Sequence, residues 1–142
     1  QGFPFEETVK RIEAFRSSIY TYFVLDNLET LRKNGRMSNV KAMVASTLNI
    51  KPLLAGDKGF IVQRGQSIGI KKALGKMAQT LLDEVKDWEE RRLIITHCNA
   101  KERAEYVRDL IQAKTGIKEC LIMDTRGVSS MYANDGGVIV TA

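Results

Sequence analysis

Histidine occurs once and cysteine twice in these 142 residues, and no two of them stand at a metal-ligand spacing. A zinc centre needs three or four such ligands, so neither a metal nor another cofactor is expected. Cys98 and Cys120 form no C-x-x-C pair. Each falls at or in an expected strand, where a free cysteine behaves as a small hydrophobe. Two widely spaced cysteines fit a reducing cytoplasm better than a disulfide scaffold. No apolar run approaches the roughly 20 residues of a bilayer span. The opening, QGFPFEET, has neither a basic nor an apolar leader region, and its lack of an initiator methionine fits a fragment cut at a domain boundary. The net charge is +5, but EERR, KERAEYVRD and EVKDWEERR mix both signs, and no tract of one sign resembles a nucleic-acid arm. The excess charge therefore reads as solvated surface, and no nucleic-acid partner is expected.

What is present is a regular interleaving of helix and strand patterns. Phe5, Val9, Ile12, Phe15 and Ile19 predict a helix over residues 5–18. IYTYFVL, β-branched and aromatic, predicts a buried strand. Asp26 and Glu29 have capping-box spacing for a short helix that Gly35 ends, and Ser38 is placed to cap a second, NVKAMVAST. NIKPLLA and GFIVQRG predict two strands joined through GDKG, with Pro52 marking an edge or strand-end position. A stripe of Ile70, Leu74, Met77, Leu81, Val85 and Trp88 predicts a long helix, and RRLIITHC a strand. Asn99 and Glu102 have the spacing of a capping box for a helix with Ala104, Val107, Leu110 and Ile111 inward, closed by Gly116 as a left-handed cap. ECLIMDT and GGVIVTA complete the strands. One domain over residues 1–142 follows, a two-layer α/β sandwich with a mixed sheet and helices mainly on one face.

No Ser-His-Asp order, paired-carboxylate pattern or phosphate loop is present. His97 and Cys98 are adjacent on a strand, so they point to opposite faces and make no catalytic pair; His97 reads as a structural hydrogen bonder. Arg36 follows Gly35 at the junction between two short helices. It fits an anion contact reinforced by the Ser38 hydroxyl, and equally a surface arginine favoured by the preceding helix dipole. Met43, Val44, Leu48, Ile50, Leu53 and Leu54 suit either a pocket for an alkyl chain or ordinary core. The segment DTRGVSSMYANDGG reads as a polar loop, open to ligand binding or to turn chemistry alone. Binding is favoured over catalysis on these grounds, and no enzyme activity is expected.

The stretch YFVLDNLETLRKNGRMSNVKAMVASTLNIKPLL, with the GDKG turn, IKKALGKM and ITHCNAKERAEYVRDLI in order after it, resembles the second half of a DegV-family protein. The resemblance implies the C-terminal, acyl-tail-binding domain of a two-domain carrier, the N-terminal domain lying outside this chain. It implies a long-chain fatty acid as ligand and a fatty acid kinase subunit as partner, to which the bound acid is presented. It also implies that Arg36, with Ser38, lies at the head group, and that Met43, Val44, Leu48, Ile50 and Leu53 flank the tail. Two positions depart from the family pattern. Many members carry H-x-G-P-G, where this chain has Ala133 in place of the histidine and Asp135–Gly136–Gly137 after it; Ile68 stands near an arginine that often precedes KKA.

Three other readings stay open. One is a different apolar ligand with a less acidic head. Another is a non-catalytic interaction module, and an isolated half could also pair with a second copy through an exposed apolar mouth. The last is an enzyme, because the family shares its fold broadly with dihydroxyacetone kinases.

Overall fold

Apolar residues recurring every three to four positions give way repeatedly to short β-branched runs, and the chain folds accordingly. The structure, a computed structural model, describes residues 2–37 and 49–142. In order, the elements are α1 (Phe5–Ser18), β1 (Thr21–Val24), α2 (Glu29–Lys33), β2 (Ile50–Asp57), β3 (Phe60–Ile68), α3 (Ile70–Glu84), a 3₁₀ turn (Trp88–Glu90), β4 (Arg92–His97), α4 (Lys101–Gln112), β5 (Glu119–Asp124), α5 (Val128–Ala133) and β6 (Val138–Thr141). Six strands among the described residues form one sheet in the order β3-β2-β1-β6-β4-β5. Only β4 and β5 run parallel; the other neighbours are antiparallel. The sheet is mixed, as the interleaved pattern predicted.

Strand alternation decides what each face holds. Tyr22, Val24, Leu53, Leu93, Ile95, Val138 and Val140 point to one face and meet Leu74, Met77 and Leu81 of α3 with Ala104, Val107 and Ile111 of α4. Each fully buried aliphatic side chain here contributes about 1.5–3 kcal/mol. The Tyr22 hydroxyl donates to Glu84 Oε2 and ties β1 to the end of α3. Burial, reinforced by the Glu84 carboxylate, raises the Tyr22 pKa far above the ordinary phenol range. A second, smaller cluster occupies the opposite face: Leu25, Leu31, Leu54 and Ala133, edged by Phe23, Leu28, Met37, Ile61, Cys98, Tyr132 and Ile139. Among the described residues the helix layer therefore lies mainly on one face, and the other is covered locally by α2 and α5.

Turn chemistry met expectation in two places. Lys58 and Gly59 both have positive φ, 48° and 84°, which is the type I′ hairpin geometry that closes Asp57 against Phe60. Gly35, at φ 65°, donates its N–H to Arg32 O while the Arg36 N–H reaches Leu31 O; this pair of bonds is the Schellman cap that ends α2. Pro52 lies in a strand between two others, yet β1 pairs only with Leu54 and Ala55, so the ladder at Pro52 is one-sided.

Four local expectations are corrected. Asp26 does not cap α2; Leu28 occupies that position and Asn27 Oδ1 accepts the Glu29 N–H, because the Asp26 carboxylate is held by cations. Asn99 does not cap α4, since Ala100 is the cap residue and the Asn99 amide is turned to Asp135. Gly116 is not among the positive-φ glycines; α4 ends at Ala113 in right-handed geometry, and Gly116 instead gives room to Glu89. The polar segment after β5 contains a helix, α5, rather than a loop throughout. The helix expected from Ser38 lies outside the described residues.

α1 has its predicted bounds but buries none of its residues: Phe5, Ile12 and Phe15 are 81%, 59% and 67% exposed. In the 142-residue chain, Leu81→Ala should therefore lower unfolding free energy by about 2–5 kcal/mol, whereas Phe15→Ala should change it by less than about 0.5 kcal/mol. Urea denaturation of the two variants beside the wild type measures both.

Candidate functional site

The parallel strands β4 and β5 end at His97 and Asp124, β6 begins beside them at Val138, and β1 ends beside β6 at Val24. One edge of the sheet thus gathers the ends of β1, β4 and β5 with the start of β6. In sheets with parallel strands, ligands favour the edge beyond the strands' carboxyl ends. α2 and α5 leave and enter the sheet at this edge, and α4 starts there.

Arg36 is exposed at the end of α2, next to the half-buried Met37. Its backbone is fixed to Leu31, and Leu31 packs with Leu54 and Ala133. The Arg36 backbone is therefore anchored to a residue of the smaller apolar cluster. Leu53 and Leu54 divide between the faces: Leu53 is in the core under α3, while Leu54 joins Leu31 in the smaller cluster. Ile50 is half-buried at the start of β2. Ser38, Met43, Val44 and Leu48 lie outside the described residues. Ala133 is buried among leucines, and Ile68 is exposed at the end of β3. The Asp135 carboxylate accepts from Asn99 Nδ2 at 3.0 Å.

His97 is buried, and its Nδ1 accepts the Ala100 N–H at 3.3 Å, with Asp124 Oδ1 3.4 Å from the same nitrogen. It is the structural hydrogen bonder its position predicted. Cys98 packs with the cluster on the other face, so the two do not converge. Burial raises the Cys120 pKa, with Arg108 only partly opposing it, which disfavours the nucleophilic thiolate.

A charged group here went unread in the sequence. Arg103 of α4 donates to Asp26 Oδ2 and, at 2.7 Å, to the Gly136 carbonyl. Lys51 donates to the Asp26 carbonyl at 2.9 Å and lies 3.0 Å from its carboxylate. Signals existed: a lysine inside NIKPLLA and an aspartate at the end of IYTYFVLD are charges set beside buried strand, and such charges need partners. Burial alone would raise the Asp26 pKa, but the hydrogen bonds from Arg103 and Lys51, aided by their charges, outweigh it and hold the carboxyl below its ordinary 3.8.

Beside this group, on the α4 side, opens a groove of about 1000 Å³ lined by residues that include His97, Asn99, Arg108 and Asp124. Its walls carry five carboxylates against the three cations Lys101, Arg103 and Arg108, a polar lining unsuited to an acyl chain. The smaller cluster on the other face, with Leu25, Leu31, Leu54 and Ala133, has the apolar lining that the groove lacks.

Because the native Asp26 pKa is depressed, its contribution to stability is full above the unfolded value and is lost as pH falls from there through the lower native value. Asp26→Asn should cost about 1–3 kcal/mol at pH 7, having left Arg103 and Lys51 short of an acceptor. It should also lose less stability than the wild type as pH falls below 4. Thermal unfolding at several pH values checks both.

Comparison with known proteins agrees with this fold. A family profile described as "Uncharacterised protein, DegV family" matches residues 1–142. A DegV domain-containing protein of Clostridium perfringens is 30% identical over 85% of this chain and 42% of its own length. A DegV family protein from Ruminococcus gnavus, solved with vaccenic acid, superposes with a TM-score of 0.93 at 44% identity, over 99% of this chain and 50% of that one. The fatty acid kinase B3 protein of Streptococcus pneumoniae, loaded with linoleic acid, gives a TM-score of 0.86 at 26% identity, again over 99% of this chain and 50% of that one. The chain spans about half the length of the curated relatives it matches. With its whole length matched by the family profile and its fold shared with solved members, the chain belongs to the DegV family.

Proposed function

We propose that this chain is the acyl-tail-binding half of a fatty-acid carrier. In its longer form, an N-terminal domain would complete the head-group site, and the carrier would present the acid to a partner kinase. The observation that carries the reading is the apolar cluster of Leu25, Leu31, Leu54 and Ala133, which lies on the sheet face away from α3 and α4 and whose Leu31 carbonyl accepts the Arg36 N–H. The vaccenic acid of the Ruminococcus gnavus relative and the linoleic acid of the Streptococcus pneumoniae kinase-system protein support the ligand class. Met43, Val44 and Leu48 are proposed to extend the tail contact, with Ile50 at its edge and Ser38 beside Arg36.

Magnitudes assign the roles. Burying ten methylenes supplies about 8 kcal/mol at roughly 0.8 kcal/mol each. One charge-assisted hydrogen bond from Arg36 adds about 1.5–3 kcal/mol. The tail therefore sets affinity and the arginine sets direction. Binding and presentation use no bond-making step on this chain, and phosphoryl transfer would belong to the partner. A second reading, an apolar ligand with a less acidic head, draws on Ala133: it is buried among leucines and offers no side-chain hydrogen bond where the resemblance implies a histidine.

Native mass spectrometry with lipid extraction, on the full-length protein and an Arg36→Ala variant, tests the proposal. One long-chain fatty acid per protein is expected in the wild type, with affinity reduced about 10- to 100-fold in the variant, the span of about 1.5–3 kcal/mol. An alcohol or ester in place of the acid would select the second reading. A protein that is empty and ignores added fatty acids would overturn both.

A further inference from the structure

Beyond the last rungs of the sheet, two loops meet. β1 stops at Val24 and β6 starts at Val138. Residues 25–28 run past the β1–β6 ladder, while the 134–137 loop is anchored to the end of β4 by Gly136 N–H to Cys98 O at 2.8 Å and Cys98 N–H to Gly137 O at 3.0 Å. These loops carry the two sides of the candidate head-group corner: the first leads into α2 and Arg36, the second follows α5 and Ala133. Side-chain bonds join them. Asn134 Nδ2 donates to Asn27 O at 3.3 Å, and Thr30 Oγ1 donates to Asn134 Oδ1 at 3.3 Å. Arg103 comes from the other layer, and its Nη1 reaches both loops at once, through Asp26 Oδ2 in one and Gly136 O in the other.

We propose that Arg103 is a positioning residue for the head-group end of the acyl site, fixing the separation of these loops so that Arg36 meets a carboxylate. The inference rests on the lipid-binding reading above. The path from Arg103 to Arg36 is continuous. Asp26 is followed by Asn27, whose side chain accepts the Glu29 N–H at 2.7 Å and so sets the first turn of α2. The last turn of α2 then fixes Arg36 through its N–H bond to Leu31 O at 2.9 Å. Gly136 keeps the meeting point open. Its φ is 86°, and a Cβ there would fall 2.5 Å from Asp26 Oδ2 and 2.6 Å from Arg103 Nη1. A guanidinium suits the task because its donors are fixed in one plane, which holds two acceptors at a set distance. Lys51, 3.0 Å from the other carboxylate oxygen and bonded to the Asp26 carbonyl, holds Asp26 independently of Arg103.

The test compares dissociation constants for vaccenic acid and the matching C18 alcohol. It uses the full-length wild type, Arg103→Gln, Arg36→Ala and the double variant. Arg103→Gln is expected to weaken the acid about tenfold and leave the alcohol within twofold. In the Arg36→Ala background it should add little further loss, because the two residues act in series. Arg103→Lys, which keeps a cation at Asp26, supplies the same comparison if the glutamine variant does not fold, with a smaller loss in the same direction. Parallel weakening of acid and alcohol, no change in either, or a full additional loss without Arg36, overturns the positioning role and leaves the lipid reading standing. A wild type that binds no vaccenic acid overturns that reading and this inference together.

Discussion

A sheet presents two faces, and every strand that contributes an apolar residue to one contributes its neighbours to the other. Here α3 and α4 cover one face, while among the described residues α2 and α5 shield a corner of the opposite one. The smaller apolar cluster follows from that imbalance. Leu54 cannot join Leu53 under the helices, because adjacent strand positions point apart. It needs a different cover, and the same holds for Phe23 and Ile139 on their strands. A ligand with a long apolar tail meets that requirement in the same way as a packed helix.

The placement of charge complements this arrangement. Ionic groups beside a buried strand end are tolerated only when paired. Asp26 is shared between Arg103 and Lys51, so the end of β1, the start of β2, α4 and the loop before β6 meet at one point. The cluster adds less to stability than the aliphatic core does, but it ties the loop after β1 to the loop before β6. The described residues hold two unlike surfaces: a polar groove beside α4, and an apolar cluster on the opposite sheet face.

Legibility differed by residue. Periodicity identified α3 and α4, because Leu74, Met77, Leu81, Val107 and Ile111 face the sheet in the registers their spacing requires. The hairpin and the Gly35 cap were legible because positive φ at a turn is a local demand with a small set of residues to meet it. Capping boxes at Asp26 and Asn99 were misread for one reason: each side chain had a stronger partner far away in sequence, Arg103 for one and Asp135 for the other. The apolar stripe on α1 was legible as a helix, but nothing in spacing could say that the described residues would leave it exposed.

The sequence by itself determined the order of helices and strands, the buried faces of α3 and α4, the hairpin, and the resemblance to the DegV family. All of these depend on neighbours within a turn or two of chain. Tertiary structure decided that Leu53 and Leu54 serve different faces, that Ala133 is lodged among leucines, and that Arg103 joins loops 77 and 33 residues away. A pattern along the chain records which positions must avoid water, but not which distant charge or face will satisfy them. That choice is made only when the sheet closes and brings its edge together.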